Sequence, residues 1–277
     1  MATDLQGKVI VITGGSSGIG AAAARAFRDR GATVAITGRS PETARLANEI
    51  GADHFLTDFG QLDSVRALAE QLLAKYPRID VLANNVGGIM GDQRKVTADG
   101  HEATFQVNHL GGFLLTALLK ERLAESGAIV INTSSMGNMM GHVELDDLEN
   151  VRGYSSMRAY GTAKLMNILH AAELNRRFGD RIHAASFHPG PVATGFAREG
   201  NALWRLIYET PLKNLFLISP EAGADTLVWL ATSRPGVDWQ PGEYYYKRKP
   251  GRKHKQASDP DLARRFFDES ARLVGLA

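Results

Sequence analysis

Cysteine is absent from the 277 residues, which excludes a disulfide framework and any thiolate metal site and leaves histidine to carry a metal claim. The eight histidines include no pair at helical ligand spacing beside a glutamate, so no catalytic metal is expected. No apolar run approaches the roughly 20 residues of a membrane span. The amino-terminal segment Met1 to Lys8 lacks the basic and apolar stretches of a targeting leader. These absences lead to the expectation of a cytoplasmic protein without a membrane anchor. A dominant charge sign is also missing, because 32 basic residues face 30 acidic ones. The single basic run, Lys247 to Lys255, has no aromatic platform interleaved through it. It reads as a solvated loop, so neither nucleic acid nor an anionic membrane is expected as a partner.

With 44% hydrophobic and 22% charged residues, the chain has the makeup of a globular protein with a sizeable core. Strand-like runs at Lys8 to Thr13, Thr33 to Thr37, His54 to Thr57, Val81 to Asn84, Ala128 to Thr133 and Ile182 to Phe187 alternate with helix-like segments. That order predicts an α/β fold, a doubly wound parallel sheet with helices on both faces. A late strand is expected near Glu243 to Tyr246 and a final helix from Pro260 to Leu273. No proline- or serine-rich linker divides the chain, so residues 1–277 read as one domain.

The first strand runs into Thr13-Gly14-Gly15-Ser16-Ser17-Gly18-Ile19-Gly20 and then an Ala-rich helix, Ala21 to Arg30. Glycines let such a turn approach a pyrophosphate, and the free N–H groups of the helix start meet its charge; a plain structural turn is the alternative. Tyr-x-x-x-Lys occurs twice, at Tyr160/Lys164 and Tyr245/Lys249. On a helix, residues four apart lie on one face about 6 Å apart, where an ammonium can lower the pKa of a phenol. Tyr160 opens an amphipathic helix with Leu165, Ile168, Leu169 and Ala172 on its apolar stripe and Gly179 as its stop. Tyr245 instead reads as an edge-strand tyrosine. The strand Ala128 to Thr133 ends in Ser134 and Ser135, at the sheet edge where ligands of such folds bind. A hydroxyl there either polarises a substrate oxygen or merely satisfies loop backbone.

Together these residues resemble the short-chain dehydrogenase/reductase family, over nearly the whole chain, which implies a Rossmann-like fold and NAD(P) binding. Asn84-Asn85-Val86-Gly87 resembles the family's Asn-Asn-Ala-Gly segment, with Val86 in place of the usual alanine. The resemblance implies a catalytic set of Asn108, Ser135, Tyr160 and Lys164. To the cofactor it assigns Gly14, Ser16, Ser17, Gly18, Ile19 and Gly20 of the turn, and Arg39 and Ser40 after the second strand. It adds Asp58, for which a helix cap is the alternative, then Asn85, Gly87, Tyr160 and Lys164, and Pro189, Gly190, Val192 and Thr194 beside the nicotinamide. The 25 residues from Ser135 to Tyr160 are longer than in compact members. The extra segment at 136–159 is similar to that of the retinol dehydrogenase-like branch, and the spacing favours Ser135 over Ser134. This chain resembles a soluble member of that branch.

Charge at the end of the second strand bears on the cofactor. Where an NAD enzyme wants a carboxylate there is Gly38, followed by Arg39, either a 2′-phosphate clamp or a surface arginine. The clamp reading predicts NADP(H) over NAD(H). An apolar segment at 195–217 is expected as a substrate lid, with core packing or a dimer contact as alternatives. Met136, Met139 and Met140 either line the pocket or fill irregular core. The expectation is an NADP(H)-dependent oxidoreductase acting on a lipophilic aldehyde, ketone or alcohol, the rival being a non-catalytic NADP(H)-binding sensor. The resemblance allows a homodimer through helices around Ala103 to Leu119 and Tyr160 to Arg177, and also a monomer.

Overall fold

Alternation along the buried strands divides the core into two layers. The structure, a computed structural model, describes residues 4–191 and 218–276. In β1 (Val9–Ile12), Val9 and Val11 belong to one core cluster, and Ile10 and Ile12 to the other. Successive side chains of a strand point to opposite faces, so an unbroken β-branched run serves a sheet covered on both sides.

The further strands are β2 (Thr33–Gly38), β3 (Asp53–Leu56), β4 (Val81–Asn84), β5 (Ile129–Thr133), β6 (His183–His188), β7 (Tyr244–Tyr246) and β8 (Lys249–Pro250). They form one sheet of order β3-β2-β1-β4-β5-β6-β7-β8. Every neighbouring pair is parallel except β7 and β8, which form an antiparallel hairpin. The helices are α1 (Gly18–Arg28), α2 (Glu42–Ile50), α3 (Leu62–Lys75), α4 (Ala103–Phe105), α5 (Gly111–Leu118), α6 (Lys120–Ser126), α7 (Ser156–Phe178), α8 (Pro220–Thr232) and α9 (Pro260–Leu273). Buried residues of α3, α5, α7 and α9 pack over one face of the sheet, and those of α1, α2 and α8 over the other.

The chain order reverses between β1 and β4, which opens a crevice at the carboxyl ends of these two strands. Thr13 joins its two walls. Its Oγ1 accepts from the N–H groups of Asn85 (2.8 Å) and Val86 (3.1 Å) and lies 3.3 Å from the carbonyl of Ala83.

Three expectations need correction. Helix α7 starts at Ser156 after an N-cap at Ser155, one turn before Tyr160. Tyr245 is not on an edge strand, because β7 lies between β6 and β8. It is buried, and its hydroxyl accepts from the N–H of Gln240 at 2.7 Å. The basic run is partly structured, since Lys249 belongs to β8, Arg248 pairs with Asp225, and Lys253 pairs with Glu243 at 2.7 Å. The lid expected at 195–217, together with Val192 and Thr194, lies outside the described residues. Among the described residues no helix is long and apolar enough to cross a membrane.

Candidate active site

Backbone contact dictates the glycines of the first turn. Gly14 and Gly18 have φ of +66° and +53°, a region that disfavours side chains. A Cβ on Gly15 would lie 2.6 Å from Ile36, and one on Gly20 would lie 2.2 Å from the carbonyl oxygen of Gly14. The turn thus lies flat against β2 and the start of α1. Ser17, the N-cap of α1, makes no side-chain cap. The first amides of a helix have no intrahelical acceptor, so those of Gly18, Ile19 and Gly20 stand ready for an anion. An anionic pyrophosphate fits this turn.

At the end of β2, a Cβ on Gly38 would meet Thr43 Oγ1 at 2.4 Å and Ser16 Oγ at 3.1 Å. A carboxylate side chain therefore has no room at this position unless Thr43 moves. Arg39 beside it is exposed and makes no ion pair among the described residues, while Ser40 is half-buried. Asp58 Oδ1 accepts from the N–H of its own loop at Gly60 (2.9 Å), and the Asp58 N–H donates to Ser64 Oγ (3.1 Å). That carboxylate shapes its loop at the mouth of the crevice.

Two elements carry the second half of the site. Helix α7 presents Tyr160 and Lys164, with the ammonium 5.4 Å from the ring centroid of Tyr160. Both residues are buried. Lys164 Nζ donates to the carbonyl of Thr133 at 3.3 Å, and burial pushes its pKa down to about 7. The 3₁₀ turn Met136–Met140 presents Ser135, its N-cap, whose Oγ accepts from the N–H of Gly137 at 3.1 Å. That bond uses one lone pair of the oxygen, and a hydroxyl can donate its hydrogen while it accepts. A Cβ on Gly137 would lie 3.3 Å from the Tyr160 ring and 3.4 Å from Ser135 Oγ, so the two hydroxyl-bearing residues meet around this glycine. Ser134 is committed elsewhere, donating to the carbonyl of Lys164 at 2.7 Å.

Asn108 sits in a π-helical turn, Gln106–Leu110, inserted between α4 and α5. Such turns recur at functional sites because they offset the helix locally. Its Nδ2 donates to the carbonyls of Gly88 and Thr104, both at 2.8 Å, and its Oδ1 accepts from the N–H of Gly88 at 3.0 Å. A Cβ on Gly87 would lie 2.4 Å from Asn108 Oδ1 and 2.7 Å from Lys164 Nζ, so only glycine fits where these groups converge. The structure also brings in Asn167, whose Nδ2 donates to the carbonyls of Asn108 and Thr133, each at 3.0 Å. Sequence reasoning missed it, although it lies seven residues after Tyr160 and three after Lys164, on the same helical face.

Pro189 and Gly190 follow β6 at the same sheet edge. Gly190 has φ +94°, and its N–H donates to His188 Nδ1 at 3.3 Å. Burial pushes His188 down to about 4, which keeps it a neutral acceptor. Among the described residues, no group of three His, Asp or Glu side chains could hold a metal ion.

Residues 8–202 match the family model for short chain dehydrogenases. The chain is 44% identical over 279 residues to a candidate daunorubicin C-13 ketoreductase of Streptomyces sp. (strain C5), covering 98% of this chain and 94% of that protein. It is 34% identical over 288 residues to human retinol dehydrogenase 13, covering 98% and 86% of the two chains. Among solved structures, an uncharacterized protein of Mycobacterium paratuberculosis superposes with a TM-score of 0.80 at 30% identity, over 99% of this chain and 96% of that one.

Proposed function

The chain belongs to the short chain dehydrogenase family, a family of oxidoreductases, and on that premise we propose that it transfers hydride between NADP(H) and a lipophilic aldehyde, ketone or alcohol, with Tyr160 as acid and base. The observation that carries this reading is the buried Lys164 ammonium 5.4 Å from the Tyr160 ring, at the sheet edge where the Ser135 hydroxyl and the Tyr160 ring meet around Gly137. A cation in dry surroundings favours the phenolate and brings a phenol down from its reference near 10.

In the reducing direction the Tyr160 hydroxyl gives its proton to the substrate oxygen, and in the oxidising direction it takes that proton back. Ser135 donates to the same oxygen and stabilises the charge that develops on it. Asn108 holds a water that links Lys164 to solvent. The bound nicotinamide would supply or accept the hydride. The amides of Gly18, Ile19 and Gly20 would hold its pyrophosphate, and Arg39 would pair with the 2′-phosphate where Gly38 leaves no carboxylate to bind a bare ribose.

Two observations support a lipophilic substrate. Met136 and Met140, next to Ser135, are 56% and 55% exposed, which fits a pocket wall better than core packing. Two of the proteins named above carry the names of a retinol dehydrogenase and a candidate ketoreductase, and 98% of this chain is similar to each.

The test follows NADPH consumption against aldehydes and ketones graded from short and polar to long, apolar and cyclic. Turnover rising with apolar size, and lost in Tyr160→Phe with NADPH binding retained, is the expected result. Full activity in Tyr160→Phe would sink the assignment.

A further inference from the structure

We propose that His109 is a positioning residue for the reaction: as its Nδ1–H tautomer it fixes the Asn167 amide, which holds the carbonyls of Asn108 and Thr133 in place beside Lys164. The proposal rests on the catalytic reading of Lys164 and Tyr160 given above. It starts from the Asn167 side chain, which is buried and touches three groups. Its Nδ2 faces two backbone carbonyls, those of Asn108 and Thr133, and its Oδ1 lies 3.1 Å from His109 Nδ1. An amide has two hydrogens on nitrogen and none on oxygen, so this orientation satisfies both carbonyls. The flipped orientation would set Oδ1 against two carbonyl oxygens in a site closed to water, which costs much more than the bonds it would form.

The orientation dictates the histidine's proton. Because Asn167 Oδ1 can only accept, His109 Nδ1 must carry hydrogen. The imidazole is neutral, since burial and the nearby Lys164 charge push its pKa down to about 4. Nε2 is then an acceptor, and its neighbour is the Ser270 hydroxyl at 3.2 Å. Ser270 Oγ also lies 2.9 Å from the carbonyl of Phe266. One hydroxyl hydrogen serves one acceptor at a time, and with Nδ1 protonated the proposal has the Ser270 hydroxyl turn from the Phe266 carbonyl to His109 Nε2, so that α9 contributes to the setting of the site. If Ser270 keeps its bond to the Phe266 carbonyl, Nε2 is left without a donor while Nδ1–H still serves Asn167 Oδ1. The ring is held in place by Phe105 stacked at 5.9 Å and Phe266 at 4.8 Å.

The consequence falls on Lys164. Thr133 O accepts from both Asn167 Nδ2 and Lys164 Nζ. With Asn167 released, that carbonyl turns its electron density to the ammonium alone, and the Asn108 carbonyl loses its anchor. The charge beside Tyr160 then changes in position and proton affinity without any substitution of Asn108, Ser135, Tyr160 or Lys164.

Two variants separate positioning from packing. His109→Phe keeps an aromatic ring and removes the donor, whereas His109→Asn places an amide N–H near the position of Nδ1. NADPH-dependent reduction should fall about tenfold or more in kcat for His109→Phe, the size of one displaced hydrogen bond at a reacting centre. The pH profile of kcat should shift, KM for NADPH should stay within about twofold, and His109→Asn should recover most of the loss. Equal kcat and an unmoved pH profile in folded His109→Phe would overturn the proposal. Nitrogen NMR of the imidazole reads the tautomer in the wild-type protein without any turnover. Nδ1 protonated and Nε2 bare at neutral pH is the expected state, and the reverse overturns the proposal. A wild-type protein without turnover would count against the catalytic reading alone, because the nitrogen spectrum decides the tautomer independently.

Discussion

Gly38 and Arg39 divide the cofactor question between a side chain that cannot be present and one that can reach. Because a Cβ at Gly38 would crowd Thr43 Oγ1 at 2.4 Å, Gly38→Asp should fail to create good NADH binding unless Thr43 is also reduced in size. Arg39→Ala should weaken NADPH by about ten- to a hundredfold, the size of a charge-assisted contact, and leave NADH unchanged. Dissociation constants from nicotinamide fluorescence check both, and equal losses for the two cofactors would remove Arg39 from the phosphate site. Lys164 carries a separate stability prediction. Its pKa is lowered by burial to about 7 against an ordinary value of 10.5, so between these pH values the unfolded chain binds the extra proton. The group's contribution is therefore full above about 10.5 and is lost as pH falls toward 7, by up to about 1.4 kcal/mol per pH unit. Lys164→Met should gain stability over wild type near pH 7 and lose that advantage at alkaline pH, as urea titrations at several pH values would reveal. A pH-independent difference would mean that Lys164 is not desolvated as described.

At the scale of elements, the site depends on how closely α7 approaches the 3₁₀ turn behind Ser135. A Cβ on Gly161 would lie 2.6 Å from the carbonyl oxygen of Gly137 and 3.0 Å from the N–H nitrogen of Gly141. Gly161→Ala must push the turn, and Ser135 with it, away from Tyr160. A loss of kcat by about a hundredfold is expected, together with a lower Tm. Gly127→Ala is the contrast: φ is +60° with open space around it, so only about 1–2 kcal/mol of backbone strain and no change in kcat should follow. Kinetics and melting curves of the two variants distinguish steric displacement from general weakening. These contacts also mark the limit of what was legible beforehand. Strands β1 and β4 were readable because apolar continuity is a local property, and Pro260–Leu273 because Asp259 caps it just before a proline, accepting from the N–H groups of Asp261 and Leu262 at 3.0 Å. The start of α7 at Ser156 carries no such signal, because the Ser155 side chain makes no cap. Strand β8 is a lysine and a proline, which carry no strand signal of their own and pair only because β7 lies beside them. The π turn at Asn108 and the service of Ser134 to the Lys164 carbonyl depend on tertiary contacts that no local pattern encodes. The contacts of Asn167 with His109 and with the carbonyls of Asn108 and Thr133 arise only when α7 packs on the helix bearing Asn108, and no local pattern announces them.

Over the whole molecule, helix α7 bears on the oligomeric state. Its residues from Ala159 to Ala171 are buried within a single chain, as are Glu173 and Leu174. The 3₁₀ turn covers one side, and α9 lies across the other side and across α5. Phe266 packs on His109 at 4.8 Å, Phe267 on Phe113 at 4.9 Å, and the Arg177 guanidinium over Phe267 at 4.4 Å. An ion pair from Arg177 to Asp268 at 2.7 Å and a hydrogen bond from Arg66 to the carbonyl of Val274 at 2.6 Å tie α9 down. A dimer through the faces of α5 and α7 would need roughly 800 Å² from each partner, on a surface that α9 already occupies. The protein should therefore elute and scatter light as a single 30.0 kDa chain. A stop codon after Ser258 should uncover His109, Phe113 and His170, on which Phe266 and Phe267 pack, lower the melting temperature, and drive self-association. A full-length particle of twice the mass would require another face, and a truncated chain that stayed monomeric and stable would show that α9 contributes little to the core it covers.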